Sequence, residues 1–159
     1  MQTIIFTLCS NNYLAHAKTL GDSVKKHVPE SKFIIGLVDQ FDASIDYSFF
    51  EVIKYDQIGF ECFEDMLSKY NIIEFNTAVK PFFLDYFLNK YGVGTKVYYI
   101  DPDIKLYSGI NHLDQLMDKS DIVLTPNLTE MPDEVALGEL ASLRHGLFNL
   151  GFIGVLYGS

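Results

Sequence analysis

The chain has 159 residues, 48% of them hydrophobic and 14% aromatic, with 21 acidic against 12 basic side chains and a formal net charge of -9. That composition suits one compact domain with a sizeable core and excludes disorder. The acidic balance argues against an electrostatic grip on nucleic acid or on an anionic membrane surface, so a bound anion would need a metal ion or a local cluster of cations.

The opening MQTIIFTLCS has no basic lead and no small-residue cleavage site, and it reads as a first strand, TIIFTL, not as a signal peptide. The strand is apolar throughout, the pattern of a strand buried on both faces of a parallel sheet. CSNNY follows, with Asn11 or Asn12 placed to cap a helix whose apolar stripe is Leu14, Ala17, Gly21, Val24 and Val28. That helix ends before Pro29. The next strand, KFIIGLVD, ends at Asp39, so strand, helix and strand form a βαβ unit with a right-handed crossover. FEVIKY is a shorter strand and ECFEDMLSKY a short helix. EFNTAVKPFFLDYFLNKYG is a strongly aromatic helix, opened or kinked at Pro81 and closed by Gly92. KVYYI is then a strand, INHLDQLMDK a helix, DIVLTP a strand, DEVALGELASLRHG a helix and GFIGVLY a last strand. The alternation predicts one α/β domain over residues 1–159, doubly wound about a mainly parallel sheet.

Cys9 and Cys62 are too few for a disulfide framework and too far apart for a metal knuckle, which fits a reducing compartment. The longest apolar tract, LFNLGFIGVLYGS, is too short and too rich in glycine to span a bilayer. These features predict a cytoplasmic protein that is not transmembrane, working beside a membrane. The NLT sequon at Asn127 is read as chance, because it matters only in a secreted protein.

Sheets of this type bind ligands beyond the carboxyl ends of their strands, near the point where strand order reverses. The rule selects Thr7 to Tyr13, then Asp39, then Asp101 and Asp103, then Pro126 and Asn127. In an extended segment Asp101 and Asp103 project to the same side, and Pro102 between them fixes a dihedral. Two hard oxygen ligands suit Mn²⁺ or Mg²⁺, which complete their shells with water and phosphate oxygens. The plainer reading is an Asp-Pro turn with solvated acids. No GxxxxGK[ST] loop and no GxGxxG opens the first helix, which argues against a P-loop or a dinucleotide fold.

Lys80 is a lone cation among apolar residues. By residue type alone it belongs on the surface, paired with Glu74; turned inward, it would offer a point charge to a phosphate. Tyr13 suits core packing or stacking on a base, and Cys9 reads as a small buried hydrophobe. Asn149 and Gly151 lie where the chain enters its last strand, where a glycine permits close approach of a ligand. His145 reads as a helix-end residue and not as a base.

EFNTAVKPFF, VYYIDPDIKLY, DIVLTPNL and HGLFNLGF, in that order, resemble the KPF, YLDPDI, TPHL and YNLGF segments of a group of bacterial glycosyltransferase-like proteins of the GT-A type. The opening FTLCSNNY is also similar to the nucleotide-binding first strand of family-8-type transferases. The likeness covers nearly the whole chain. It implies a nucleotide-diphosphate sugar donor, a carbohydrate or lipid-linked acceptor, and Mn²⁺ or Mg²⁺ held through Asp101 and Asp103. It places Thr7, Asn12 and Tyr13 against the nucleotide, turns Lys80 toward the donor, and sets Asn149 and Gly151 on the sugar side. Asn127 stands where the resembling proteins carry His, and those proteins continue well beyond the FNLGF segment. The chain is therefore expected to be the donor-binding half of such an enzyme, incomplete on its C-terminal side.

Asp133 and Glu134 fit a catalytic loop or a helix cap equally well, so no catalytic base is assigned. The competing reading is a nucleotide-sugar-binding or partner-binding remnant without turnover, whose free sheet edge pairs with another chain as a dimer. A nucleotidyltransferase is disfavoured by the absence of a glycine-rich basic opening loop.

Overall fold

The computed structural model describes residues 2–129 and 146–158. The helix expected over DEVALGELASLRHG, together with Asp133, Glu134 and His145, lies outside the described residues.

β1 (Thr3–Cys9), β2 (Lys32–Leu37), β3 (Glu51–Lys54), β4 (Lys96–Ile100), β5 (Ile122–Pro126) and β6 (Phe148–Leu156) form one sheet in the order β3-β2-β1-β4-β6-β5. β1 pairs in parallel with β2 and β4, and β2 with β3. β6 lies between β4 and β5 and is antiparallel to both. The sheet is thus mixed, with β6 as the one reversed strand among the described residues. The sheet is mainly parallel, as expected, and the sequence did not indicate which strand would be reversed. An apolar run such as GFIGVLY reads the same in either direction, so only its hydrogen-bonded neighbours set its sense.

At β1 both faces of the sheet are covered, which is why this strand is apolar at nearly every position yet still alternates in its contacts. Ile4, Phe6 and Leu8 join a cluster with Val97 and Tyr99, under α2 (Phe63–Lys69), α3 (Ile72–Ala78) and α4 (Lys80–Tyr91). Ile5 and Cys9 join the opposite cluster with Tyr98 and Ile100, under α1 (Leu14–His27) and α5 (Asn111–Met117). The first cluster is built on aromatic contacts: the Phe6 ring lies 4.9 Å from Phe87 and 5.3 Å from Tyr99. Such pairs add directional preference to simple area burial.

α1 carries its stripe as expected, burying Leu14, Ala17, Leu20, Gly21 and Val24. Its start differs from the expectation: a 3-10 turn over Asn11–Tyr13 precedes it, and no side chain caps either element. The aromatic segment is two helices. Pro81 sits in the first turn of α4, where its missing N–H costs nothing. Gly92, at φ 80°, follows the last turn in a conformation that other residues adopt only at a cost.

Gly36 shows how closely α4 sits on the sheet. A Cβ there would collide with Leu8 Cδ2 and lie 2.8 Å from Phe83 Cε1. Gly36→Ala is therefore expected to destabilise the fold by about 1–3 kcal/mol through overpacking. A thermal melt checks this: a drop of several degrees is expected, and an unchanged midpoint would show that Phe83 has room to move.

Candidate functional site

β1 is the point from which the chain winds outward in both directions, to β2 and β3 on one side and to β4 on the other. Beyond the carboxyl ends of β1 and β4 lies a cleft of about 470 Å³, within the range of small-molecule sites. Cys9, Asn12 and Tyr13 line it from the β1 side, and Tyr99, Asp101 and Asp103 from the β4 side. α3 and the start of α4 close it with Ile72, Ile73, Asn76, Thr77 and Lys80.

Asp101 is the centre of the polar contacts. Its backbone N–H donates to the Gly151 carbonyl at 2.8 Å, continuing the β4–β6 ladder past Ile100 and Phe152. Its Oδ1 accepts from the Tyr99 hydroxyl and from Lys80 Nζ at 3.2 Å. Burial, and the negative charge of Asp101 next to it, push the Tyr99 phenol far above its usual range, so it stays protonated and donates. Ile104 N–H donates to the Asp101 carbonyl at 3.1 Å, so Asp101 to Ile104 is a turn and not the extended segment that the spacing suggested. The Asp-Pro turn and the cleft position are both realised, and Asp101 and Asp103 both face the cleft.

Lys80 does not pair with Glu74, which instead accepts from the Asn71 backbone in a capping box on α3. It is 9% exposed, and its ammonium donates to Asp101 and to the Leu150 carbonyl at 3.1 Å while lying 4.4 Å from the centre of the Tyr99 ring. The reversal of β6 makes this possible, because its first residues arrive at the end of β4 where a parallel strand would have departed. Between Leu124 and Thr125 the β5–β6 register jumps from Ile153 to Asn149, which leaves Leu150, Gly151 and Phe152 as a bulge unpaired with β5. A Cβ on Gly151 would lie 3.0 Å from Asp101 Oδ2 and 2.9 Å from Asn149 Oδ1, so the glycine is what lets the strand pass beside the carboxylate. Asn149 is exposed, and its Oδ1 accepts from the Gly151 N–H at 2.8 Å.

Tyr13 is 45% exposed and stacks on His16 at 5.0 Å, so it belongs to the cleft rim and not to the core. Thr7 is fully buried, its hydroxyl has no partner among the described residues, and it does not line the cleft. Cys9 is buried as expected; desolvation and the Asp39 charge push its thiol up to about 12, which leaves it unreactive at neutral pH. Asp39 braces the cleft and does not line it: its Oδ2 accepts from the Asn11 backbone at 3.3 Å. The Asn11 side chain donates to the Gln40 carbonyl at 2.8 Å and accepts from the Tyr47 hydroxyl at 2.7 Å, which ties the β1 loop to the loop after β2. Asn127 is exposed and spans from the end of β5 to the Gly146 carbonyl.

Asn76 and Thr77 went unnoticed in the sequence, where they sit inside one apparent helix. Their place depends on the break at Val79, and Asn76 Nδ2 donates to Ser10 Oγ at 3.0 Å across the cleft. The signal available was the polar pair itself, interrupting an otherwise apolar and aromatic run.

Among the described residues no three His, Cys, Asp or Glu side chains converge, so no all-protein metal cage is present. Asp101 Oδ2 and the Asp103 carboxylate make no hydrogen bond or ion pair with other described residues. Those free carboxylate oxygens, carried on one turn that lines the cleft, fit a hard divalent cation that takes its remaining ligands from water and a phosphate. No helix among the described residues is long and apolar enough to cross a membrane.

No protein-family model matches the chain, and no curated protein does. Solved structures match over nearly all of it. The galactosyltransferase LgtC, solved in complex with donor and acceptor sugar analogues, is 16% identical with a TM-score of 0.52, over 97% of this chain and 57% of that one. The glycosyltransferase GlyE of Streptococcus pneumoniae is 15% identical with a TM-score of 0.53, over 98% and 34%. The bifunctional glycosyltransferase WbbM is 11% identical with a TM-score of 0.57, over 97% and 31%. The chain spans 31% to 57% of the length of these structures. At such identities the likeness is one of fold, and the mixed α/β sheet with its flanking helices is of the GT-A glycosyltransferase type.

Proposed function

We propose that this chain is the donor-binding domain of a glycosyltransferase, holding a nucleotide-diphosphate sugar together with Mn²⁺ or Mg²⁺. The observation that supports it most is the convergence of Asp101, Asp103, Lys80, Asn12 and Tyr13 on one cleft at the switch point of a sheet of this fold. The exposed face of Tyr13 offers stacking to a base, and Asn12 offers amide hydrogen bonds beside it. The diphosphate would lie toward Lys80, whose fixed ammonium attracts its charge, and the sugar toward Asn149 and Gly151. Thr7, being buried, supports the end of β1 and touches no ligand. A cation held by Asp101 and Asp103 would supply charge stabilisation to the departing diphosphate. The acceptor, a carbohydrate or a lipid-linked sugar, would approach from the side of the cleft away from Tyr13.

Calorimetric titration with UDP, GDP and CDP, each with and without Mn²⁺, tests the reading. Metal-dependent binding of one nucleotide is the expected result and identifies the base. Absence of binding for all of them would overturn it. Binding with no hydrolysis of the matching nucleotide sugar would favour a domain that holds the donor without turning it over.

A further inference from the structure

Lys80 has a property that a phosphate ligand does not need: it is already neutralised before any ligand arrives. Its ammonium is 3.2 Å from Asp101 Oδ1, it donates to the Leu150 carbonyl, and its charge lies over the Tyr99 ring. The side chain is 11% exposed, against 34% for that of Asp101. Pro81 and the first turn of α4 fix its backbone. It is a stationary positive charge beside one of the two carboxylates proposed to hold the cation, and with them it brings the local formal charge from -2 to -1.

A stationary charge acts with opposite sign on the two ligands of one site. It repels a divalent cation and attracts a diphosphate, and an ammonium as little exposed as that of Lys80 is screened less than a fully solvated one. We infer that Lys80 sets the order in which the cleft fills: it holds off the free cation and admits the diphosphate, so the cation enters with the nucleotide or after it. The inference rests on the metal reading above, and it adds a selective role to a residue so far counted only as a phosphate contact. A lysine that merely braced α4 against β4 would, when removed, weaken both ligands together.

The experiment measures each ligand without the other: Mn²⁺ by electron paramagnetic resonance in the absence of any anion ligand, and pyrophosphate by calorimetry in the presence of chelator. The proteins are wild type, Lys80→Met, Lys80→Gln, and Asp101→Asn with Asp103→Asn. Lys80→Met fills the same space without charge, and Lys80→Gln keeps a hydrogen-bond donor, so one of them remains informative if the other folds poorly by thermal melt. Both are expected to tighten Mn²⁺ by on the order of tenfold and to weaken pyrophosphate by at least as much, within the usual range of coupling between sites. Losses of both ligands, unchanged Mn²⁺ affinity, or a Lys80→Gln protein that behaves like wild type would overturn the inference and leave the metal site standing. Mn²⁺ binding that survives in the double asparagine variant would overturn the metal reading itself, and the ordering role with it.

Discussion

Asp101→Asn combined with Asp103→Asn is expected to reduce nucleotide affinity in Mn²⁺ to the level measured in chelator, a loss on the order of a hundredfold or about 2.7 kcal/mol. The two positions contribute differently to the fold, and this separates function from stability. Asp103 is exposed and bonds to no other described residue, so Asp103→Asn alone should remove metal dependence and leave the melting temperature unchanged. Asp101 is the partner of the charge on Lys80, a residue that is 9% exposed. Replacing it strands that charge against the Leu150 carbonyl and the Tyr99 ring. Stranding a fully buried ion costs about 3–5 kcal/mol, but the 34% exposure of the Asp101 side chain lets water screen the pair, so a small fraction of that is expected. Calorimetry and a thermal melt on both single variants check this. An Asp103→Asn protein with full Mn²⁺-dependent affinity would remove the cation from this turn.

The elements that the sequence made legible are those whose local pattern and tertiary role agree. The run of buried residues in β1, the α1 stripe and the glycine after α4 are each dictated by a few neighbouring residues. Asp101 and Asp103 stood out for a related reason, since polar residues directly after a wholly buried strand have nowhere to go but a strand end. The direction of β6 was not legible, because a continuous apolar run looks the same in a parallel and in an antiparallel strand. With it went the reason that Asn149 and Gly151 reach Asp101. Lys80 shows the same limit at the scale of one side chain: a lone lysine after TAV has no periodic signal to say which way it turns. Its inward pose depends on Leu150, seventy residues away in sequence, and on the bulge that presents that carbonyl. Asn11 looked like a helix cap and is instead a strut to Gln40 and Tyr47, because the 3-10 turn carries the chain past the capping position.

Gly151→Val is the variant that tests this geometry from the β6 side. Gly151 does not adopt a positive φ, so its backbone accepts a side chain and the effect is one of space. The added Cβ meets two oxygens, Asn149 Oδ1 at 2.9 Å and Asp101 Oδ2 at 3.0 Å. The Asn149 amide ends an exposed side chain and can rotate away cheaply. The Asp101 carboxylate cannot, because its other oxygen is held by Tyr99 and Lys80, so the whole group must tilt and carry the free Oδ2 out of position. The expected result is a loss of at least tenfold in Mn²⁺-dependent nucleotide affinity, about 1.4 kcal/mol, with a melting temperature within a few degrees of wild type. Gly151→Ala should fall between the two. Metal-independent binding of the nucleoside alone, which the proposed function assigns to Tyr13 and Asn12 on the β1 side of the cleft, should not change. If valine weakens the nucleoside and the diphosphate equally, the substitution has disturbed the sheet as a whole. If it weakens neither, then Asp101 Oδ2 is not the oxygen that meets the cation.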